Sequence, residues 1–265
     1  MGNPVAAAHR NDSQCVVRDC LLIRLTMILG WVSLALTLVF FFYGALSPVK
    51  LELGTAGGLL WNGLLSMLFF VQHSGMIRES FQQFTARFID EKYHGAMFTI
   101  ASSITLILLV VLWQGSDYVL ASAEGGVRWF LRGVFVCSFV GFYWGARTLG
   151  GFDMFGIKRI RRSMRGVEER PPKFNVRGPY RWVRHPLYLF CLLMIWSCPD
   201  LTADRLLFDL LWTGWIVVGS ILEERDLVKL FGADYQLYRE QVPMLIPHSF
   251  RPAVDGKAAR NRPGA

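Results

Sequence analysis

The chain has 265 residues, 53% of them hydrophobic, and a formal net charge of +8. Its mean hydropathy is positive, and apolar residues gathered into long runs exclude an ordinary soluble domain and indicate an integral membrane protein. The surplus Lys and Arg lie between and after those runs, which argues for membrane topology and against a nucleic-acid-binding face.

Residues 1–18 are polar without periodicity and read as a mobile N-terminal tail, ahead of a membrane domain over 19–247. The first apolar run, Leu21 to Tyr43, is interrupted only by Arg24, whose long stem stays in the apolar layer while its charge reaches the headgroups. It is too long for a secretory signal and lacks the small-residue cleavage pattern, so it is a first span. Further runs cover Gly54 to Gln72, Gly95 to Trp113, Val127 to Ala146, Leu187 to Pro199 and Leu206 to Leu222. The fold class expected is therefore all-α, a polytopic membrane helix bundle of about six segments ending in a helical hairpin. A full crossing takes about 20 residues at about 1.5 Å each, so the fifth segment, at roughly 13, is short. Asp200 to Asp204 reads as a brief polar turn whose Asp caps the returning sixth helix. Residues 248–265, rich in Arg, Pro, Gly and Ala, read as a mobile C-terminal tail.

Orientation follows from the basic residues. The loop between the fourth and fifth segments carries Arg147, Lys158, Arg159, Arg161, Arg162, Arg165, Arg170, Lys173, Arg177, Arg181 and Arg184 against Asp153, Glu168 and Glu169. That loop is expected in the cytoplasm, which by alternation puts both termini there too. The five cysteines contain no C-x-x-C pair, so neither a metal site nor a disulfide framework is indicated.

The chemistry-bearing residues crowd one membrane boundary. Gly178, Pro179, Tyr180, Arg181, Trp182, Val183, Arg184, His185, Pro186, Leu187 and Tyr188 run directly into the fifth segment. Pro186 suits the first helical position, so Arg184 and His185 fall at a helix N-terminus with free amides, an anion site to which Tyr188 adds a hydroxyl. Anchoring to lipid headgroups is the competing reading. Glu223 and Glu224 close the sixth segment in a helix that runs on to Phe231 and stops at Gly232. Neighbouring carboxylates point about 100° apart on a helix, so one faces inward and the other meets Arg225 or solvent, with the choice left open. Asp234 is placed to cap a last short helix in which Tyr235, Tyr238 and Val242 share a face. Alternation brings Gln72, His73, Ser74 and Arg78 to the same side of the membrane. No Gly-x-Gly-x-x-Gly follows a strand, which excludes a dinucleotide fold.

Gly178 to Tyr188, then Leu222 to Arg225, then Phe231, Gly232, Tyr235, Tyr238, Val242, Pro243 and Pro247 resemble the C-terminal signature of the isoprenylcysteine carboxyl and phospholipid methyltransferase superfamily. Gln72, His73, Ser74, Met76 and Arg78, with Phe152 to Gly156, resemble its bacterial methanethiol S-methyltransferase branch. The resemblance implies S-adenosyl-L-methionine as methyl donor, a small thiol as acceptor and a bacterial inner membrane as the location. It assigns Tyr180, Arg181, Arg184, His185, Tyr188, Glu223 and Glu224 to the cofactor, and Arg184, Glu223 and His73 to catalysis. His73, ahead of His94, is the candidate base for the thiol, with an interface histidine as the competing reading. A prenylcysteine carboxylate or phospholipid amine as acceptor stays open. So do a nicotinamide-dependent, sterol-reductase-like enzyme sharing the His185-Pro186-x-Tyr188 pattern, and a transporter.

Overall fold

A computed structural model describes residues 4–150, 153–167, 174–249 and 252, with side chains described from residue 16 onward. Phe152, Glu168, Glu169, Arg170, Lys173 and, apart from residue 252, the C-terminal tail from residue 250 lie outside the described residues. Nine α-helices among them are α1 (Pro4–Tyr43), α2 (Gly54–Ile77), α3 (Glu79–Thr85), α4 (His94–Leu112), α5 (Gly125–Thr148), α6 (Lys158–Met164), α7 (Pro186–Ile195), α8 (Ala203–Phe231) and α9 (Ala233–Gln241). Two short strands, β1 (Val119–Ser122) and β2 (Asp200–Thr202), pair antiparallel. Five helical segments are long and apolar enough to cross a membrane, and the ten-residue α7 is a shorter apolar helix. The chain is an all-α, multi-pass membrane protein, and its short fifth segment is α7.

Helix α1 runs from Pro4 through the first span. One expectation is corrected at the end of a helix. The segment read as an Asp200 to Asp204 turn is strand β2, whose last residue, Thr202, takes the cap position of α8, where no side chain caps the helix. Asp204 instead accepts bonds from Trp113 Nε1 at 2.9 Å, the Ser116 amide at 2.9 Å and Thr202 Oγ1 at 2.6 Å.

The chain forms two compact units. The first gathers the beginning of α1, the end of α2, α3, α4 and α6. Its core sets Ile23 of α1 and Ala96 of α4 against Phe155, Ile157 and Ile160, all buried. Asp153 receives the amides of Ile157 at 3.1 Å and Lys158 at 2.7 Å, which starts α6. Gly156 has φ +63°, and a Cβ on Gly95 would lie 2.6 Å from its carbonyl oxygen, so here two backbones touch and only glycine fits.

The second unit holds the ends of α1 and the start of α2 together with α5, α7, α8 and α9. Phe40, Trp113 and Phe208 pack edge to face at centroid separations of 4.9 to 5.6 Å. Beside them the buried Arg205 pairs with Asp209 at 2.9 Å and donates to the carbonyls of Phe40, Phe41 and Ile195, at the ends of α1 and α7. Helices α5 and α7 pack through small residues. A Cβ on Gly145 would lie 2.8 Å from Leu187 Cδ2, and one on Gly141 would collide with the Phe190 ring. In a bilayer, close backbone approach of this kind replaces the hydrophobic drive that water supplies.

Gly145→Leu should therefore overpack the contact and cost about 1–3 kcal/mol. Thermal unfolding in detergent should show a lowered midpoint, whereas Gly133→Leu on the same helix, where a Cβ meets nothing within 4 Å, should leave it in place.

Candidate functional site: an ion-paired cluster under a helical cap

His185 occupies the cap position of α7 and Pro186 its first turn, as the sequence requires. The amides expected to be free are not. Arg184 N donates to Pro243 O at 2.9 Å and His185 N to Met244 O at 3.0 Å, so the strap after α9 closes over the start of α7. Gly232, with φ +57° and ψ −130°, ends α8 and itself takes the cap position of α9, which corrects the assignment of that cap to Asp234.

The two carboxylates separate as helix geometry demands. Glu224 is the inward one, 5% exposed. Its Oε1 receives Arg184 Nε at 2.6 Å and lies 3.2 Å from His185 Nε2, and its Oε2 lies 3.2 Å from Arg239 Nε. Arg184 Nη1 donates onward to the carbonyls of Arg239 at 2.9 Å and Val242 at 2.5 Å. Arg184 therefore works inside the protein as a clamp between α7, α8 and α9. Glu223, with a side chain 45% exposed, accepts from Tyr188 Oη at 2.7 Å and lies 3.8 Å from His185 Nδ1. The His185 and Tyr188 rings stack at 5.4 Å, so the phenol is held between the helix start and the carboxylate.

An aromatic cap backs the cluster. Val176, Tyr235, Tyr238 and Val242 are buried together, with Phe174, Tyr180 and Phe231 packed on them. Tyr238 Oη donates to the carbonyl of Tyr180 at 2.6 Å. The Tyr235 hydroxyl is buried and has no hydrogen-bond partner among the described residues. Burial raises the Tyr180 phenol above its ordinary range and the Glu223 charge adds to it. Burial likewise raises Tyr235, with Glu224 next, and Tyr238, with Tyr235 next, so all three phenols are neutral donors at pH 7. The Arg181 guanidinium lies 5.8 Å from the Trp182 ring centroid, and Trp182 meets Trp144 of α5 at 6.2 Å.

The remaining predicted residues belong to the first unit. Gln72 joins α2 to α4, donating to Ser102 Oγ at 3.2 Å and accepting from Thr105 Oγ1 at 2.8 Å. His73 sits between the rings of Phe69 at 5.3 Å and Phe98 at 4.9 Å. Asp153, Phe155 and Gly156 are occupied with starting α6 and packing the core. Arg239 is the participant that sequence reasoning missed. Its signal was available, since it lies one turn beyond Tyr235 on the face that Tyr235 and Tyr238 bury.

The fold and cluster define a class: a multi-pass helical membrane protein with an acid–base constellation at the boundary of its C-terminal hairpin. Three relatives narrow it. The chain is 36% identical to methanethiol S-methyltransferase 2 of Bradyrhizobium diazoefficiens, covering 80% of this chain and 85% of the relative. It is 35% identical to the methanethiol S-methyltransferase of a Pseudomonas species, over 86% and 89%, and 31% identical to that of Mycobacterium tuberculosis, over 72% and 78%. No family model and no solved structure matches the chain. The chain belongs to the methanethiol S-methyltransferase family.

Removing one partner of a buried pair strands the other charge, at about 3–5 kcal/mol. Glu224→Ala should therefore lower the unfolding midpoint strongly, whereas Glu223→Gln, at the half-exposed position, should shift it little. Thermal unfolding in detergent compares the two directly.

Proposed function

We propose that the chain transfers a methyl group from S-adenosyl-L-methionine to the sulfur of methanethiol, giving dimethyl sulfide, S-adenosylhomocysteine and a proton. The observation that carries this reading is the shared name of relatives 31–36% identical over most of the chain. The donor's polar end suits the cluster. Glu223 keeps an exposed carboxylate edge beside Tyr188 for an ammonium or a ribose hydroxyl, and Tyr235 holds a buried hydroxyl in need of a partner. When bound, S-adenosylmethionine supplies a sulfonium methyl group as electrophile.

The chain's own residues then divide the work. Glu223, Tyr188, Tyr180 and Arg181 contact the donor, while Glu224, with Arg184 and His185, fixes the positions from which they do so. The phenols donate and do not compete as bases, because their protons are held by burial. The nucleophile is the thiolate, and His73 is the group we assign to take the thiol proton. The basic loop and termini orient the bundle with its ends in the cytoplasm of a bacterial inner membrane.

Headspace gas analysis of cells expressing the chain and supplied with methanethiol should find dimethyl sulfide well above the vector control. None above control, with the protein present in the membrane, overturns the acceptor. Purified protein that binds a nicotinamide nucleotide and ignores S-adenosylmethionine overturns the donor. Glu223→Gln should raise the KM for S-adenosylmethionine about tenfold, the loss of one hydrogen bond to a charged group. His73→Ala should slow turnover about 100-fold and flatten the acid limb of the rate–pH profile, and an unchanged rate and profile would remove His73 from proton transfer.

A further inference from the structure

The first unit carries a second charged feature, apart from the cluster of the C-terminal hairpin. A cavity of about 200 Å³ is lined by Glu91, Lys92, Arg159, Arg162, Ser163 and Val167. Its walls are held from behind. Lys92 lies in the 3-10 turn Glu91–Tyr93 ahead of α4, with Nζ 3.4 Å from Asp19 Oδ2 and 4.8 Å from the Tyr93 ring centroid. Tyr93 Oη donates to Asp19 Oδ1 at 2.6 Å, and Asp19 is buried. On the other wall Asp153 fixes the start of α6, and Ile157 and Ile160 bury its inner face against Ile23 and Ala96. Arg159 and Arg162, three apart on that helix, are neighbours on its surface, and both line the cavity with Ser163 beside them.

The lining carries Arg159, Arg162 and Lys92 beside Glu91, with Lys92 also paired to Asp19 behind it. Planar guanidiniums match phosphate oxygens in paired hydrogen bonds, an ammonium adds a point charge, and a serine hydroxyl a further donor. The place matters as much as the chemistry. Val16–Tyr43 and Glu91–Leu112, two segments long and apolar enough to cross a membrane, both begin at this end, which puts the cavity beside the ends of two spans. Basic pockets between membrane helices at such a boundary bind anionic headgroups. We propose that this cavity binds a phosphate-bearing anion, with the headgroup of an anionic phospholipid as the source its position favours. The site stabilises the joint between α1, α4 and α6.

The test uses the full chain purified in neutral detergent. Thermal unfolding is followed while phosphatidylglycerol, phosphatidylcholine or inorganic phosphate is added. Phosphatidylglycerol should raise the midpoint and phosphatidylcholine should not, because a ligand that binds only the folded state stabilises it by mass action. In Arg159→Gln/Arg162→Gln the concentration for half-maximal protection should rise about tenfold or more, as charge-assisted bonds are lost. Inorganic phosphate giving the same protection, with the same loss in the double variant, upholds the site and names free phosphate as its source. Should the double variant not fold, Arg162→Gln alone, with inorganic phosphate competing against phosphatidylglycerol on the wild type, gives the same readout. No protection of the wild type, or equal protection of wild type and variant, overturns the proposal. So does protection that emerges only after Glu168→Gln/Glu169→Gln, for the cavity's cations then serve the chain's own carboxylates.

Discussion

The ion pair between Arg184 and Glu224 is the constraint on which the C-terminal half depends. A carboxylate 5% exposed at the end of a membrane helix is tolerable only if its charge is answered in place. Glu224 is met by Arg184, His185 and Arg239, and Arg184 gives its other bonds to the last carbonyls around α9. The start of α7, the end of α8 and the cap of α9 are thereby one object. Once Glu224 turns inward, the helix twist leaves Glu223 about 100° away, toward Tyr188. The placement of the half-exposed carboxylate is a consequence of the buried one.

The rest of that unit keeps the hairpin in register for this pair. Arg205 gathers the carbonyl ends of α1 and α7 and is neutralised by Asp209. Asp204 fixes the start of α8 to Trp113 and Ser116. Gly141 and Gly145 let α7 lie against α5. Each device satisfies a polar group or a close approach that the bilayer could not satisfy. The charged groups of the hairpin are thereby held by protein at the boundary, Glu224 buried and Glu223 half-exposed.

The helices were legible because twenty-residue apolar runs have few other fates, and Pro186 and Gly232 marked helix boundaries through backbone chemistry alone. The strands were not, since three or four residues in a ribbon carry no period, and Asp204 looks like a cap until its partners Trp113 and Ser116, distant in sequence, are known. The site was legible in composition and misread in part. Arg184 looked like an open anion clamp because its neutralising carboxylate stands 40 residues away. The choice between Glu223 and Glu224 depended on long-range partners that a single helix turn does not reveal. Arg239 was overlooked because a lone arginine on a short polar helix resembles any solvated residue.

The central claim is that Arg184 and Glu224 act as one unit, and a double-mutant cycle tests it most directly. Stability and S-adenosylmethionine affinity are measured for the wild type, Arg184→Gln, Glu224→Gln and the double variant. Groups in contact should couple by about 0.5–3 kcal/mol, so the double variant should be far less impaired than the two single losses together imply. Additive losses in both quantities, within about 0.5 kcal/mol, would contradict the account.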